Sequence, residues 1–304
     1  MNAPFTHYLE ARRAEIEAAL LAALPSPPAC PPVVATAMRY SVTAGGKRLR
    51  PILCLASAEA VGGDRTQAMP AACALEFIHT YSLIHDDLPA MDNDTLRRGR
   101  PTLHVVAGEG MAILAGDGLL TEAFALLSRE PTTADPVVAA RKLRVIDMVA
   151  TAAGAAGMVG GQAIDVAASH PTQGTPAFDA EHLRAMHAKK TGALIRAAAT
   201  SGAIMGGAGD AVIRRVDAAG GELGLAFQII DDVLDVEGAA MTLGKTPGKD
   251  AAAGKATYPA LYGIDEARRM AVACVDRAEA LLAEADIGGS RLAEIGRWIV
   301  SRSH

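Results

Sequence analysis

The sequence predicts an all-α protein, on three observations. Half of its 304 residues are hydrophobic but only 4% are aromatic, and Ala, Leu, Met and Gly suit closely packed helices better than strands. Apolar residues recur at helical spacing, as in Leu183, Met186, Leu194 and Ile195, with no alternating strand pattern. Glycine and proline clusters divide the chain into helix-length pieces.

A first helix is expected over residues 5 to 24, because Pro25-Ser26-Pro27-Pro28 and Pro31-Pro32 cannot continue it. A second starts near Val33 and stops at Gly45-Gly46. A third follows Pro51 to about Val61, and after Gly62-Gly63 a fourth runs from Thr66 into an acidic stretch at Asp86. Further breaks are expected at residues 131–136, 170–176 and 206–209, and a long polar loop at 237–255. Residues 148–164 carry no charge but include Thr151 and Gln162. That stretch falls short of a membrane span and reads as a tightly packed buried helix. No shift in composition divides the chain, so one domain over residues 1–304 is expected.

A net charge of -5 argues against a nucleic-acid binder. Cys30, Cys54, Cys73 and Cys274 form neither a CxxC pair nor a zinc spacing, so buried thiols in a cytoplasmic protein are expected. The first helix contains Glu10, Arg12, Arg13, Glu15 and Glu17 and lacks a signal-peptide core, so the mature protein is expected to start here.

The chemistry concentrates in two carboxylate clusters. Asp86-Asp87-Leu88-Pro89-Ala90-Met91-Asp92 recurs in reduced form as Asp231-Asp232-Val233-Leu234-Asp235. Each follows an apolar run where a bare charge is costly. Asp231 and Asp235 lie one helical turn apart and can share a hard cation, for which Mg²⁺ with its oxygen ligands is the natural candidate. Asp86 and Asp92 point to different faces of an ideal helix. Pro89 should therefore end or distort the helix and let Asp92 return towards Asp86.

Metal-bound clusters of this kind suit a diphosphate, whose remaining charge needs cations. Lys47, Arg48 and Arg50 follow Gly45-Gly46, and Arg97, Arg98 and Arg100 follow the first acidic cluster. Lys189-Lys190-Thr191-Gly192 and the lysines Lys245, Lys249 and Lys255 complete the set. His79 shares a helix stripe with Asp86 and could donate to a phosphate oxygen. Residues 248–255 fail as a nucleotide-binding loop, having five residues between glycines and Ala256 where Ser or Thr should stand.

Gly-Gly-Lys-Arg-Leu-Arg-Pro (45–51), His-Asp-Asp-Leu-Pro-Ala-Met-Asp with Arg-Arg-Gly-Arg-Pro-Thr (85–102), Gly-Gly-Gln (160–162), Lys-Thr-Gly-Ala-Leu (190–194), Phe-Gln-Ile-Ile-Asp-Asp-Val-Leu-Asp (227–235) and Gly-Lys-Ala-Thr-Tyr-Pro (254–259) occur in this order. On these motifs the chain resembles the trans-isoprenyl diphosphate synthases of the bacterial farnesyl diphosphate synthase type. The resemblance implies an all-α isoprenoid synthase-type bundle around a deep central cavity, usually a homodimer and not an integral membrane protein. It implies that Asp86, Asp87 and Asp92 bind Mg²⁺ holding an allylic diphosphate, with Asp231, Asp232 and Asp235 opposite. Three Mg²⁺ per site are expected, with Mn²⁺ able to substitute.

By the same resemblance Arg97, Lys190, Gln228 and Lys245 contact that diphosphate. Lys47, Arg50, His79 and Arg98 hold isopentenyl diphosphate, and Thr191 and Lys255 lie near the allylic site. Tyr81 and its neighbour Ser82 are the expected chain-length residues, five and four positions before Asp86. With the Pro89-Ala90 insertion, Tyr81 resembles the pattern that stops at fifteen carbons. Geranylgeranyl or geranyl diphosphate is the alternative product. A terpene cyclase is disfavoured by Asp235 and Ala239 at places that its second metal motif needs otherwise. A non-catalytic partner subunit is disfavoured by two intact acidic motifs. Asn93, where many relatives carry Asp, is expected to have little effect.

Overall fold

A computed structural model describes residues 3–169, 179–241 and 257–302. The described residues are helical almost throughout. In order they form α1 (Ala3–Ala23), α2 (Pro32–Val42), α3 (Leu49–Ala60), α4 (Arg65–Asp86), α5 (Leu103–Ala107), α6 (Glu109–Arg129) and α7 (Pro136–Ala153). There follow α8 (Met158–Ser169), α9 (Ala180–His187), a π-helical turn (Ala188–Gly192), α10 (Ala193–Met205) and α11 (Asp210–Met241). The chain finishes with α12 (Tyr258–Tyr262), α13 (Ile264–Ala283) and α14 (Arg291–Ser301). Asp64, Asp135 and Asp179 cap α4, α7 and α9 by accepting backbone N–H groups of the first turn.

Helices α3, α4, α10 and α11 make the centre. Helix α3 lies between α4 and α10, α6 covers α4, α7 covers α10, and α13 and α14 close the side of α11. Phe77, Leu75 and Ile78 of α4, Leu53 and Leu55 of α3, and Leu194 and Ile195 of α10 are fully buried. Small residues let these helices approach closely. A Cβ on Gly202 of α10 would lie 1.9 Å from the Cys54 carbonyl oxygen of α3, so the two backbones touch there. This contact explains how an Ala- and Gly-rich chain with few aromatics fills its core.

Three expectations need correction. Residues 148–164 are not one buried helix: α7 ends at Ala153, α8 begins at Met158, and Val159 is 48% exposed. Gly154 and Gly157 break the helix between them, as Gly206-Gly207 does between α10 and α11. Helix α11 continues to Met241, beyond the expected start of a loop at 237. A short antiparallel hairpin, β1 (Leu96–Arg97) with β2 (Arg100–Pro101), escaped the alternation test because its strands are two residues long. Its turn residues Arg98 and Gly99 both have positive φ, 53° and 74°, the conformation of a tight hairpin turn.

Two stretches, Glu109–Arg129 and Pro136–Ala168, are long and apolar enough to cross a membrane. The first is α6, whose Ala112, Ala115, Leu119 and Ala123 are fully buried in the bundle. The second comprises α7 and α8 with their break.

Candidate active site

Helix α4 ends at Asp86, three residues before Pro89. The following turn returns on itself: the Asp92 N–H donates to the Asp86 carbonyl at 2.9 Å and the Asn93 N–H to the Leu88 carbonyl at 3.1 Å. Asn93 adopts φ 50°, a left-handed conformation that Asn tolerates well. The unwinding expected from Pro89 thus brings Asp92 back beside Asp86. Burial, reinforced by Asp92 and Asp87, pushes the Asp86 carboxyl up to about 6 against the attraction of Lys190.

Asp87 is buried, and Arg97 from the hairpin grips its Oδ1 through Nε at 2.8 Å and an Nη at 2.6 Å. Arg97, expected on a diphosphate, is here paired with the acidic cluster that it follows in sequence. Arg98 at the turn reaches the Gly45 carbonyl and ties the hairpin to the loop before α3.

The three cations of that loop separate. Arg48 has φ 51° and turns into the core, where Nη1 meets Glu76 at 2.7 Å with both side chains nearly excluded from solvent. Its Nη2 donates to the Val42 carbonyl at 2.6 Å. Glu17 stands 3.8 Å from its Nε. Arg48 is therefore a strut between α2, α3 and α4, at the edge of the cavity that Lys47 and Arg50 also line. Replacing Glu76 by alanine would leave the guanidinium buried without its closest carboxylate. The expected loss is about 3–5 kcal/mol of folding stability, read as a lower denaturant midpoint.

Lys47, Arg50, His79, Arg97, Arg98, Gln228 and Asp231 line one cavity of about 620 Å³. Burial and the surrounding Arg50, Arg98, Arg97 and Arg48 hold His79 well below its usual pKa, so it is neutral at physiological pH. A second cavity of about 720 Å³ is lined by Tyr81, Ser82, Asp86, Met91, Met158, Val159, Ala163, Val166 and Lys190 among others. Arg50, His79, Leu83 and Thr191 line both. A cation-rich chamber thus adjoins a largely apolar one, with Asp231 facing the first and Asp86 the second.

Tyr81 is 7% exposed and stands edge-on to His85 at 5.6 Å between ring centroids. His85 is braced in turn by the Ile113 carbonyl of α6 at 3.2 Å. The Ser82 hydroxyl donates to the His79 carbonyl at 2.8 Å.

On α11 the second cluster divides. Asp231 pairs with Arg302 at 2.5 Å, and Asp235 lies exposed one turn on. Asp232 is buried, accepting from the Gln228 amide at 2.8 Å and the Tyr258 N–H at 3.1 Å, with His187 3.7 Å away. Asp232 and Gln228, expected as a metal ligand and a diphosphate contact, are hydrogen-bonded to each other here, and Gln228 also lines the first cavity. The hydrogen bond from the Tyr258 N–H to Asp232 ties α11 to α12. Lys190 and Thr191 project from the π-helical turn, and the Lys190 ammonium meets Asp165 at 2.5 Å. Lys245, Lys249 and Lys255 lie outside the described residues.

Arg302 and Asp165 escaped the sequence reading. The Arg302 guanidinium covers the Phe227 ring at 4.1 Å and donates to the Phe227 carbonyl at 3.0 Å, a contact between residues 75 apart that no local pattern announces. Asp165 did leave a signal: it directly follows the uncharged run 148–164, where a lone carboxylate needs a partner.

Among the described residues no three His, Cys, Asp or Glu side chains form a ready metal cage. The oxygen donors of Asp86, Asp92 and Asp231 still suit Mg²⁺, which takes few protein carboxylates and completes its shell with water and phosphate. The raised Asp86 pKa marks a carboxylate that a cation would stabilise.

A model of the polyprenyl synthetase family matches residues 31–283. A dimethylallyltranstransferase of Fischerella ambigua is 48% identical over 297 residues, covering 98% of this chain and 83% of the relative. A farnesyl diphosphate synthase of Geobacillus stearothermophilus is 47% identical over 269 residues, 88% of each chain. The crystal structure of an FPP/GFPP synthase from Zymomonas mobilis superimposes with a TM-score of 0.84 at 40% identity, covering 99% of this chain and all of that one. Both aspartate clusters and Lys47, Arg50, Arg97 and Arg98 of the first cavity fall inside the matched span, and the chain belongs to the polyprenyl synthetase family.

Proposed function

We propose that the protein is a Mg²⁺-dependent farnesyl diphosphate synthase that condenses isopentenyl diphosphate with dimethylallyl or geranyl diphosphate. One observation carries the reading: a cation-lined chamber and an apolar chamber share Arg50, His79, Leu83 and Thr191 in their walls, with Asp231 lining the first and Asp86 the second. Lys47, Arg50 and Arg98 hold isopentenyl diphosphate as fixed charges, with neutral His79 as a hydrogen-bond donor. Asp86, Asp92 and Asp231, with Asp87 and Asp235 beside them, hold the metal. Bound there, Mg²⁺, at three ions per site and replaceable by Mn²⁺, would supply positive charge to the departing diphosphate. Lys190 and Thr191 meet the same group, with Lys245 and Lys255.

The apolar wall keeps water from the allylic cation, which the double bond of isopentenyl diphosphate attacks. The released diphosphate takes the last proton, so the chain needs no paired catalytic base. Tyr81 and Ser82 line the apolar chamber and set its depth, favouring fifteen carbons over geranylgeranyl diphosphate. The whole chain acts as one polyprenyl synthase domain in the cytoplasm, in keeping with four free buried cysteines. It works as a homodimer rather than as a membrane-spanning protein. Val105 and Val106 of α5 with Ile113 and Leu114 of α6 form an exposed apolar face suited to a second copy.

Incubation with Mg²⁺, isopentenyl diphosphate and each primer in turn should yield mainly a fifteen-carbon diphosphate. No condensation with any primer would refute the assignment. Since only ionised Asp86 binds a cation well, protons compete with metal below its raised pKa of about 6. Half-saturating Mg²⁺ should rise about tenfold between pH 7.5 and pH 5, as measured by initial rates across a Mg²⁺ titration.

A further inference from the structure

One turn of α8 is shaped around Lys190. A Cβ on Gly161 would lie 2.2 Å from the Lys190 backbone nitrogen and 2.5 Å from its Cα, so the π-helical turn rests directly on α8. Four residues on, and therefore on the same face, Asp165 is 9% exposed and takes the Lys190 ammonium at 2.5 Å. The α8 residues that line the adjoining chamber are Met158, Val159, Ala163, Val166 and Ala167 with one polar side chain, Gln162.

Asp165, buried behind that wall, is held by its partner, and a flexible lysine stem needs one to keep a single direction. The competing anion is near, because Lys190 and Asp86 line the same chamber. Without Asp165, the ammonium would swing towards the first aspartate cluster and occupy the carboxylates that the metal and the allylic diphosphate require.

We infer that Asp165 is a positioning residue that keeps Lys190 off the first aspartate cluster and aimed at the allylic diphosphate, with Gly161 admitting the backbone that makes this geometry possible. The inference rests on Lys190 as a contact of that diphosphate. Binding transfers the ammonium from Asp165 to phosphate oxygens, and product release returns it.

The test is a double-mutant cycle in steady-state kinetics with Asp165→Asn, Lys190→Ala and the pair, each checked for folding by thermal denaturation. Asp165→Asn should raise KM for the allylic diphosphate about tenfold, leave KM for isopentenyl diphosphate within about twofold, and add nothing in the Lys190→Ala background. Asp165→Glu, which keeps the charge, should recover most of the loss, and Asp165→Ser replaces the Asn variant in the cycle should that one not fold. A full additional loss in the Lys190→Ala background, or an equal rise in both KM values, would overturn the role of Asp165 alone. A kinetically silent Lys190→Ala would overturn the assignment of Lys190 and this inference with it.

Discussion

Asp86→Asn is expected to lower kcat about 100- to 1000-fold while leaving the fold intact. The substitution keeps the size of the side chain and removes one charge where negative charge on the substrate must be neutralised, an effect of the order seen when a preorganised electrostatic contact is lost. Its sign on stability is opposite. Burial raises the Asp86 pKa, so the ionised carboxylate is disfavoured in the folded protein at neutral pH, and a neutral amide relieves that. Thermal denaturation should show an unchanged or higher midpoint beside the collapse in single-turnover rate. Loss of activity together with loss of folding would mean that Asp86 is structural, and a kcat within threefold of wild type would remove it from the mechanism.

Tyr81→Ala is expected to shift the main product beyond fifteen carbons. Five helical residues separate Tyr81 from Asp86, a rise of about 7.5 Å, and the ring lines the same apolar chamber as the carboxylate. Its edge-on contact with His85, itself braced by α6, keeps the ring from swinging aside as a chain grows against it. Truncation therefore lengthens a chamber that already exists. Chromatographic sizing of products from geranyl diphosphate reads the effect, and unchanged chain length would show that Tyr81 only packs. Ser82→Phe should act in the opposite direction, by narrowing the chamber from the neighbouring position.

The helical fold was legible because proline and glycine clusters end α1, α2, α3 and α10 at or near the expected places. Pro89 likewise allowed the return of Asp92 to Asp86 to be anticipated. What remained hidden depends on direction and distance. Lys47, Arg48 and Arg50 are alike in sequence, but of the three it is Arg48, with its left-handed backbone, that bonds Glu76, 28 positions away. Asp231 and Asp232 are adjacent and face apart, one to the cation-lined chamber and one to the N–H of Tyr258. Arg302 finds Phe227 and Asp231 more than 70 positions away, through contacts that composition and spacing do not encode, whereas Asp165 meets Lys190 on the adjoining π-helical turn.

The central claim is that the two diphosphates are held unequally, one by protein cations in the first chamber and one through metal at the acidic rim. The most direct measurement is the pair of KM values in Lys47→Ala, because Lys47 lines only the first chamber and is partly exposed. Loss of a charged hydrogen bond predicts a rise of about tenfold to a hundredfold in KM for isopentenyl diphosphate, with KM for geranyl diphosphate within about twofold. A rise confined to geranyl diphosphate, or an equal rise for both, would contradict it.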